Sequence, residues 1–238
     1  HARYIELRGG ATPEGWAVKD AAYAGFEKPL LADETEALKA IPRRRRAELR
    51  KALDAASAGE LTTDFRGDAD VFYALYASAM RDHGTPVFPR RFARALLDVF
   101  PGDTDILVIR AGDEPALALL TFYFRDRVMP YYFGARRDAR ARRAFDYAIW
   151  LQMRRGAGRG GSVFDFGRGK AGSGSYNYKT YWDFTPAPLA YHYCLLGAGE
   201  TPNVSPSNPK FALASAAWRR LPLVVANAAG PMLARHLA

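Results

Sequence analysis

Cysteine is almost absent: Cys194 stands alone among 238 residues, which excludes an internal disulfide and with it an extracellular disulfide framework. Histidine is nearly as scarce. His1, His83, His192 and His236 are scattered, so they and one cysteine build no zinc cluster, and no metal site is expected. A reducing compartment follows, the cytoplasm by default. The chain starts His1-Ala2-Arg3 without an initiator Met, and no charged segment leading into an apolar run marks a signal peptide. Long hydrophobic runs are missing too. The most apolar stretch, Leu221 to Ala234, contains Pro222, Asn227, Gly230 and Pro231 and is too short for a bilayer core of roughly 30 Å.

What is present is an ordinary globular balance, 49% hydrophobic and 25% charged residues, enough chain for one good core or two small ones. The formal charge is +9, and most of the excess sits in residues 136–160. There Arg136, Arg140, Arg143, Tyr147 and Arg154 recur at helical spacing, with Phe145, Ile149 and Met153 on another side. This predicts a helix from about Arg137 to Arg155 with a basic stripe, a candidate phosphate-binding surface; a solvated face of an Arg-rich protein is the other reading. The run Arg43 to Arg46 reads as the solvated start of a helix opened by Pro42.

Along the chain, alternation predicts strands over 3–8 and 23–31. Asp33 caps a helical segment that breaks at Pro42 and ends near Ala58, before a short strand over 60–65. A helix capped by Asp68 or Asp70 ends at Gly84, and a second begins at Pro89 and stops at Pro101-Gly102. Strands over 106–111, 116–124 and 128–134 follow, then the basic helix, a strand over 162–166, a Gly-rich loop over 167–174, a short helix over 176–182 and a strand over 189–196. Residues 197–209 read as a linker into the tail.

Gly167-x-Gly169-x-x-Gly172 matches a dinucleotide fingerprint literally, but no acidic residue follows about 20 positions on at a strand end, so it is rejected. Walker A spacing also fails, since Lys170 is followed by Ala171. What the segment offers is a polar cluster: Asp165, Arg168, Lys170, Tyr176, Tyr178 and Lys179 around glycines whose backbone N–H groups can meet phosphate or carbonyl oxygens. A mobile surface loop with scattered basic residues is the alternative.

Ser162 to Phe184, with its strand, loop and Tyr178-Lys179-x-x-Trp182, resembles the Phe-Lys-x-x-Phe/Trp-Gly signature of the FemAB family of peptidyltransferases. Gly84 to Pro89, Phe122 to Asp126 with Tyr131-Tyr132, and Asn208 to Lys210 with Trp218 to Pro222 resemble its exosortase-associated (PEP-CTERM) branch. The resemblance covers nearly the whole chain. It implies an α/β (α+β) acyl-CoA N-acyltransferase (GNAT-like) fold, a mixed central sheet flanked by helices. Residues 1–32 would be remnant strands of a first copy, 33–58 a connecting helix, 59–196 the acyltransferase domain, and 197–238 a linker and amphipathic tail. An Arg3–Arg8 strand with no neighbour would favour that division; a self-contained sheet there would overturn it.

The implied chemistry is transfer of an aminoacyl group from charged tRNA to an amine of a lipid-linked or nucleotide-linked precursor, in a cell-envelope or exopolysaccharide setting. By position Lys179 would be the fixed cation beside the developing oxyanion. Arg168 and Lys170 would hold phosphates, and Tyr132, Asp165, Tyr176 and Tyr178 would line the substrate site, Asp165 either accepting from the acceptor amine or ordering the loop. Tyr178 stands where Phe is usual and Asp183 where Gly is. No tightly bound cofactor is implied, only an acyl donor. An acyl-CoA donor is the alternative, although the turn Gly134 to Ala141 lacks the glycines of an ordinary CoA-pyrophosphate turn. A further reading is a non-catalytic module that docks on RNA or an anionic membrane at the inner face, with Trp218 to Ala238 lying on the membrane or packing on the domain.

Overall fold

The computed structural model describes residues 3–139, 143–197 and 209–235. Its strands are β1 (Tyr4–Arg8), β2 (Ala17–Pro29), β3 (Leu61–Asp64), β4 (Thr104–Ala111), β5 (Glu114–Phe124), β6 (Arg127–Ala135), β7 (Val163–Lys170) and β8 (Pro186–Leu195). The helices are α1 (Glu34–Lys39), α2 (Arg43–Ser57), α3 (Ala69–His83), α4 (Arg91–Val99), α5 (Ala144–Gly158), α6 (Gly174–Tyr181), α7 (Pro209–Trp218) and α8 (Leu223–Ala234). One sheet holds every strand, in the order β1-β8-β2-β7-β6-β5-β4-β3. Neighbours are antiparallel except β6 and β7. This is the mixed sheet with flanking helices that the sequence implies.

The two-residue period of a strand divides the core. From β4 and β5, Leu107, Ile109, Leu117 and Leu119 join Ala52 of α2 and Ala148 of α5, while Ile106, Val108, Ala118 and Leu120 join Phe72 and Tyr76 of α3 and Ala93 of α4. Both faces are therefore covered, which is why these strands read as continuous apolar runs. Local signals set the helix ends. The Asp33 carboxylate accepts from Glu36 N, and that of Asp68 from Asp70 N and Val71 N, each cap contributing about 1 kcal/mol. Gly84 ends α3 at φ 76°, a left-handed conformation that costs glycine nothing.

The strand over Arg3–Arg8 has a neighbour: β1 pairs with β8 from Tyr4↔Leu195 to Arg8↔Tyr191, and β2 pairs with both β7 and β8. Phe26 of β2 is fully buried among Phe164, Phe166, Trp182 and Phe184. Burying that ring ties residues 3–29 into the sheet built by the rest of the chain.

Two expectations change. The basic helix begins at Ala144, not Arg137, and Arg136 and Arg143 precede it; Arg140 lies outside the described residues. Instead of a stripe, Arg136 pairs with Glu114 and Asp138, Arg137 with Asp82, Arg155 with Asp105, and Arg154 donates to the carbonyls of Leu31 and Ala32. Partners distant in sequence thus draw the arginines apart. The Gly-rich segment is a strand as far as Lys170, because Gly169 and Lys170 pair with Ala24 and Tyr23 of β2. For the tail, of the two readings, packing on the domain is the contact seen: α8 buries Ala226, Gly230 and Ala234, and Arg81 donates to the carbonyl of Leu221.

Candidate active site

The parallel strands β6 and β7 share only two registered pairs, Arg127↔Val163 and Val128↔Phe164. Beyond them β6 pairs with β5 alone and β7 with β2 alone, so the sheet opens in its middle. Each strand then feeds a helix on the same face, β6 into α5 and β7 into α6. The carboxyl ends of parallel strands at such an opening are where α/β sheets hold ligands, because helix N-termini and loops converge there.

A cavity of about 160 Å³ lies at that point, lined by Arg45, Arg143, Phe145, Asp146, Gly174, Tyr178 and Tyr181. Arg45 reaches in from α2, its Nη1 3.0 and 2.9 Å from the two carboxylate oxygens of Asp146. The Tyr178 hydroxyl donates to Asp146 Oδ1 at 2.8 Å, and burial together with that carboxylate holds the phenol well above its usual range. This bond gives tyrosine a use where the FemAB signature has phenylalanine. Arg143 takes φ 61° at the start of α5 and provides no side-chain cap. The Nε atoms of Arg45 and Arg143 are both buried without a hydrogen-bond partner. Glu48 stands 3.9 Å from Arg143 Nε, so the two guanidinium groups meet two carboxylates, and the cavity's volume fits a phosphate- or carboxylate-sized group rather than a nucleotide.

Behind the cavity, Lys179 is only 6% exposed. Its Nζ donates to the carbonyl oxygens of Gly167, at 3.2 Å, and Arg168, at 2.7 Å, and lies over the rings of Phe26 and Phe166. Desolvation lowers its pKa to about 8, against partial relief from Asp165. The ammonium is thus a strut under β7, where Gly167 at φ 65° makes a bulge, and it does not line the cavity. Asp165 serves the same bulge: its Oδ1 accepts from Gly167 N at 2.8 Å, and Arg127 stands 3.6 Å from its other oxygen. Of its two expected roles, the ordering one is the contact seen. Gly169 is needed for packing, since a Cβ there would come within 3.0 Å of Phe26 and 3.3 Å of Tyr176.

The sheet's opposite face carries a different chemistry. Arg168 lies over Tyr23 and Tyr191, donates to the Tyr191 hydroxyl, and shares Tyr191 with Arg8. Across the opening, Tyr132 sits in a box of Tyr76, Phe88 and Phe92, and burial raises its pKa. Next to it Tyr131 is 63% exposed. The face offers planar aromatic and guanidinium surfaces of the kind that pack against an apolar or sugar-like substrate while hydrogen-bonding its polar groups.

The fold therefore distributes the residues singled out from sequence. Tyr178 and Arg143 line the cavity; Lys179, Asp165 and Tyr176 support β7; Arg168 and Tyr132 face the other side; and Lys170 pairs with Tyr23 of β2. Arg136, tied to Glu114, is outside the cavity. Asp183, standing where the FemAB signature has glycine, adopts φ 61°, a left-handed conformation that glycine takes without strain, with Lys28 3.6 Å from its carboxylate. Arg45, Asp146 and Tyr181 were not legible as site residues, yet the first two carry signals. Arg45 shares helical spacing with buried Leu49 and Ala52, and Asp146 with Ile149, Trp150 and Met153, so each places a charge on an apolar helix side. Among the described residues no cluster of metal-ligating side chains occurs, and no helix is long and apolar enough to cross a membrane.

Among solved structures the fold is similar to FemX, with a TM-score of 0.60 at 13% identity over 72% of this chain and 61% of that one. It is also similar to the C-terminal domain of a putative lysylphosphatidylglycerol synthetase from Agrobacterium fabrum, with a TM-score of 0.52 at 14% identity over 75% of this chain and 62% of that one. The chain thus spans less than two thirds of either protein. No protein of curated function matches it in sequence. The acetyltransferase (GNAT) domain family matches residues 43–180, from the start of α2 through β7 and nearly all of α6. With that match over more than half of its length, on a GNAT-type acyltransferase fold shared with FemX, the chain belongs to the acetyltransferase (GNAT) domain family.

Proposed function

We propose that this protein is a FemAB-type N-acyltransferase that moves an aminoacyl or other acyl group from a phosphate-bearing donor to an amine of a cell-envelope or exopolysaccharide precursor. The observation that carries the reading is the opening between β6 and β7, with the cavity lined by Arg45 and Arg143 on one face and the Arg168–Tyr132 surface on the other. A donor would place a phosphate against Arg45 and Arg143 and its acyl carbonyl at the opening; the acceptor would approach along Tyr131, Tyr132 and Arg168. The amine nitrogen bonds to the carbonyl carbon, the ester C–O bond breaks, and the amine proton ends on the departing hydroxyl. Negative charge grows on the carbonyl oxygen in between, where fixed donors and positive charge lower the barrier. Lys179 supports this as a positioning residue, holding the Gly167–Arg168 bulge at the rim of the opening. The lipid-linked precursor and exosortase-associated setting rest on the resemblance at residues 84–89, 122–126 with 131–132, and 208–210 with 218–222.

An acyl-CoA donor is the second reading, favoured by the family match itself. Against it, the turn Gly134 to Ala141 ahead of α5 lacks the glycines of an ordinary CoA-pyrophosphate turn. Binding of charged tRNA, uncharged tRNA and acetyl-CoA over a salt series separates the two. Preference for charged tRNA, weakened several-fold by Arg143→Ala, is the expected result. Acetyl-CoA binding alone moves the protein to the CoA class. Equal, steeply salt-dependent binding of both RNAs overturns the catalytic reading in favour of an electrostatic surface.

A further inference from the structure

Helix α8 is apolar on both sides. Its inner side lies against the segment after α3, where Gly230 leaves just enough room: a Cβ there would meet the backbone N and O of Val87 at 3.0 Å. A helix packed on one side of a domain normally turns charge outward. Here Val224 is 80% exposed and Met232 64%, with Val225 and Leu233 nearly half exposed, and Leu223–Ala234 contains no charged residue. Leu213 of α7 adds a side chain 82% exposed. Arg219 and Arg220 precede the apolar side and Arg235 follows it, all exposed, and residues 209–235 contain no Asp or Glu.

We propose that the outer surface of α7 and α8 docks on an anionic lipid bilayer, with Val224, Val225, Met232 and Leu233 at the level of the upper acyl chains and the three arginines among the headgroup phosphates. An apolar helix side framed by cations of one sign is the pattern of an interfacial anchor, since apolar burial and attraction to anionic lipid add. Charge complementarity selects the bilayer over a second copy. A twofold interface between the 209–235 segments would set Arg219, Arg220 and Arg235 of each copy against those of its mate with no acidic residue in the segment to answer them. The anchor also has a direction. Phe88, next to Val87 beneath α8, packs on Tyr132, so a docked protein presents that face of the opening toward the lipid surface. The use of this orientation to reach a lipid-linked acceptor rests on the proposed function; docking itself does not.

The test is co-sedimentation with vesicles of equal parts phosphatidylglycerol and phosphatidylcholine, compared with phosphatidylcholine alone. The natural protein is expected to partition onto the anionic vesicles. V224Q/M232Q, both on the exposed side and so expected to melt at an unchanged temperature, is expected to partition roughly tenfold less. R219Q/R220Q is expected to weaken partition and flatten its salt dependence. Absence of partition, or partition that neither double variant changes, overturns the proposal. So does a dimer in sedimentation velocity that V224Q/M232Q dissolves, since the surface then belongs to a second copy. Failure of acyl transfer with vesicle binding intact would count against the enzyme and leave the anchor standing.

Discussion

Replacing Lys179 with Met tests whether the ammonium is sealed under β7. Free lysine titrates near 10.5, whereas burial brings this one to about 8. Unfolding at neutral pH therefore releases about 3 kcal/mol that the fold gives up to keep the ammonium charged. The sign follows from proton counts. Between pH 8 and 10.5 the unfolded chain holds this proton and the folded one has released it, so stability rises with pH at up to about 1.4 kcal/mol per unit. Buried tyrosines act in the opposite direction: the Tyr76, Tyr123 and Tyr178 hydroxyls are raised by burial, and stability falls as the unfolded phenols ionise above about pH 10. The comparison belongs below that point, and subtracting Lys179→Met removes whatever the two proteins share. Urea unfolding at intervals from pH 7 to 9.5 should show the natural protein gaining about 2 kcal/mol on the variant. Parallel curves would refute the reasoning, because they would mean that water reaches the ammonium. It would then be free to meet a substrate carbonyl directly, as the signature position alone suggests.

Gly134→Ala is expected to destabilise by about 3 kcal/mol or more, because its Cβ would sit 2.3 Å from the backbone N of Tyr76 and force α3 off the sheet. A change within about 0.5 kcal/mol in chemical denaturation would contradict that close approach. Arg45→Met should cost about 3–5 kcal/mol by leaving the buried Asp146 carboxylate with Tyr178 alone, and adding Asp146→Leu should restore most of it. If the single and double variants unfold at the same urea concentration, the ion pair is not what holds α2 against α5.

The sequence by itself determined the elements whose signals are local. Asp33, Asp68 and Gly84 mark helix ends because a carboxylate reaches backbone N–H groups two or three residues on, and because glycine takes a positive φ without strain. Alternation along β4 and β5 is equally local, and the segment 162–184 carried the family resemblance. The tertiary structure decided what depends on distant partners. Arg136 to Arg155 has helical spacing throughout, yet Asp82, Asp105 and Glu114 claim its arginines and the helix starts only at Ala144. Gly167 to Lys170 reads as a loop until β2, far upstream, supplies the ladder that makes it a strand. Arg45 and Asp146 are 101 residues apart, and neither marks a cavity until the sheet opens between β6 and β7. Local sterics and short hydrogen bonds are written in neighbouring residues. Pairing across a sheet and the meeting of opposite charges follow from burial, which the whole chain settles at once.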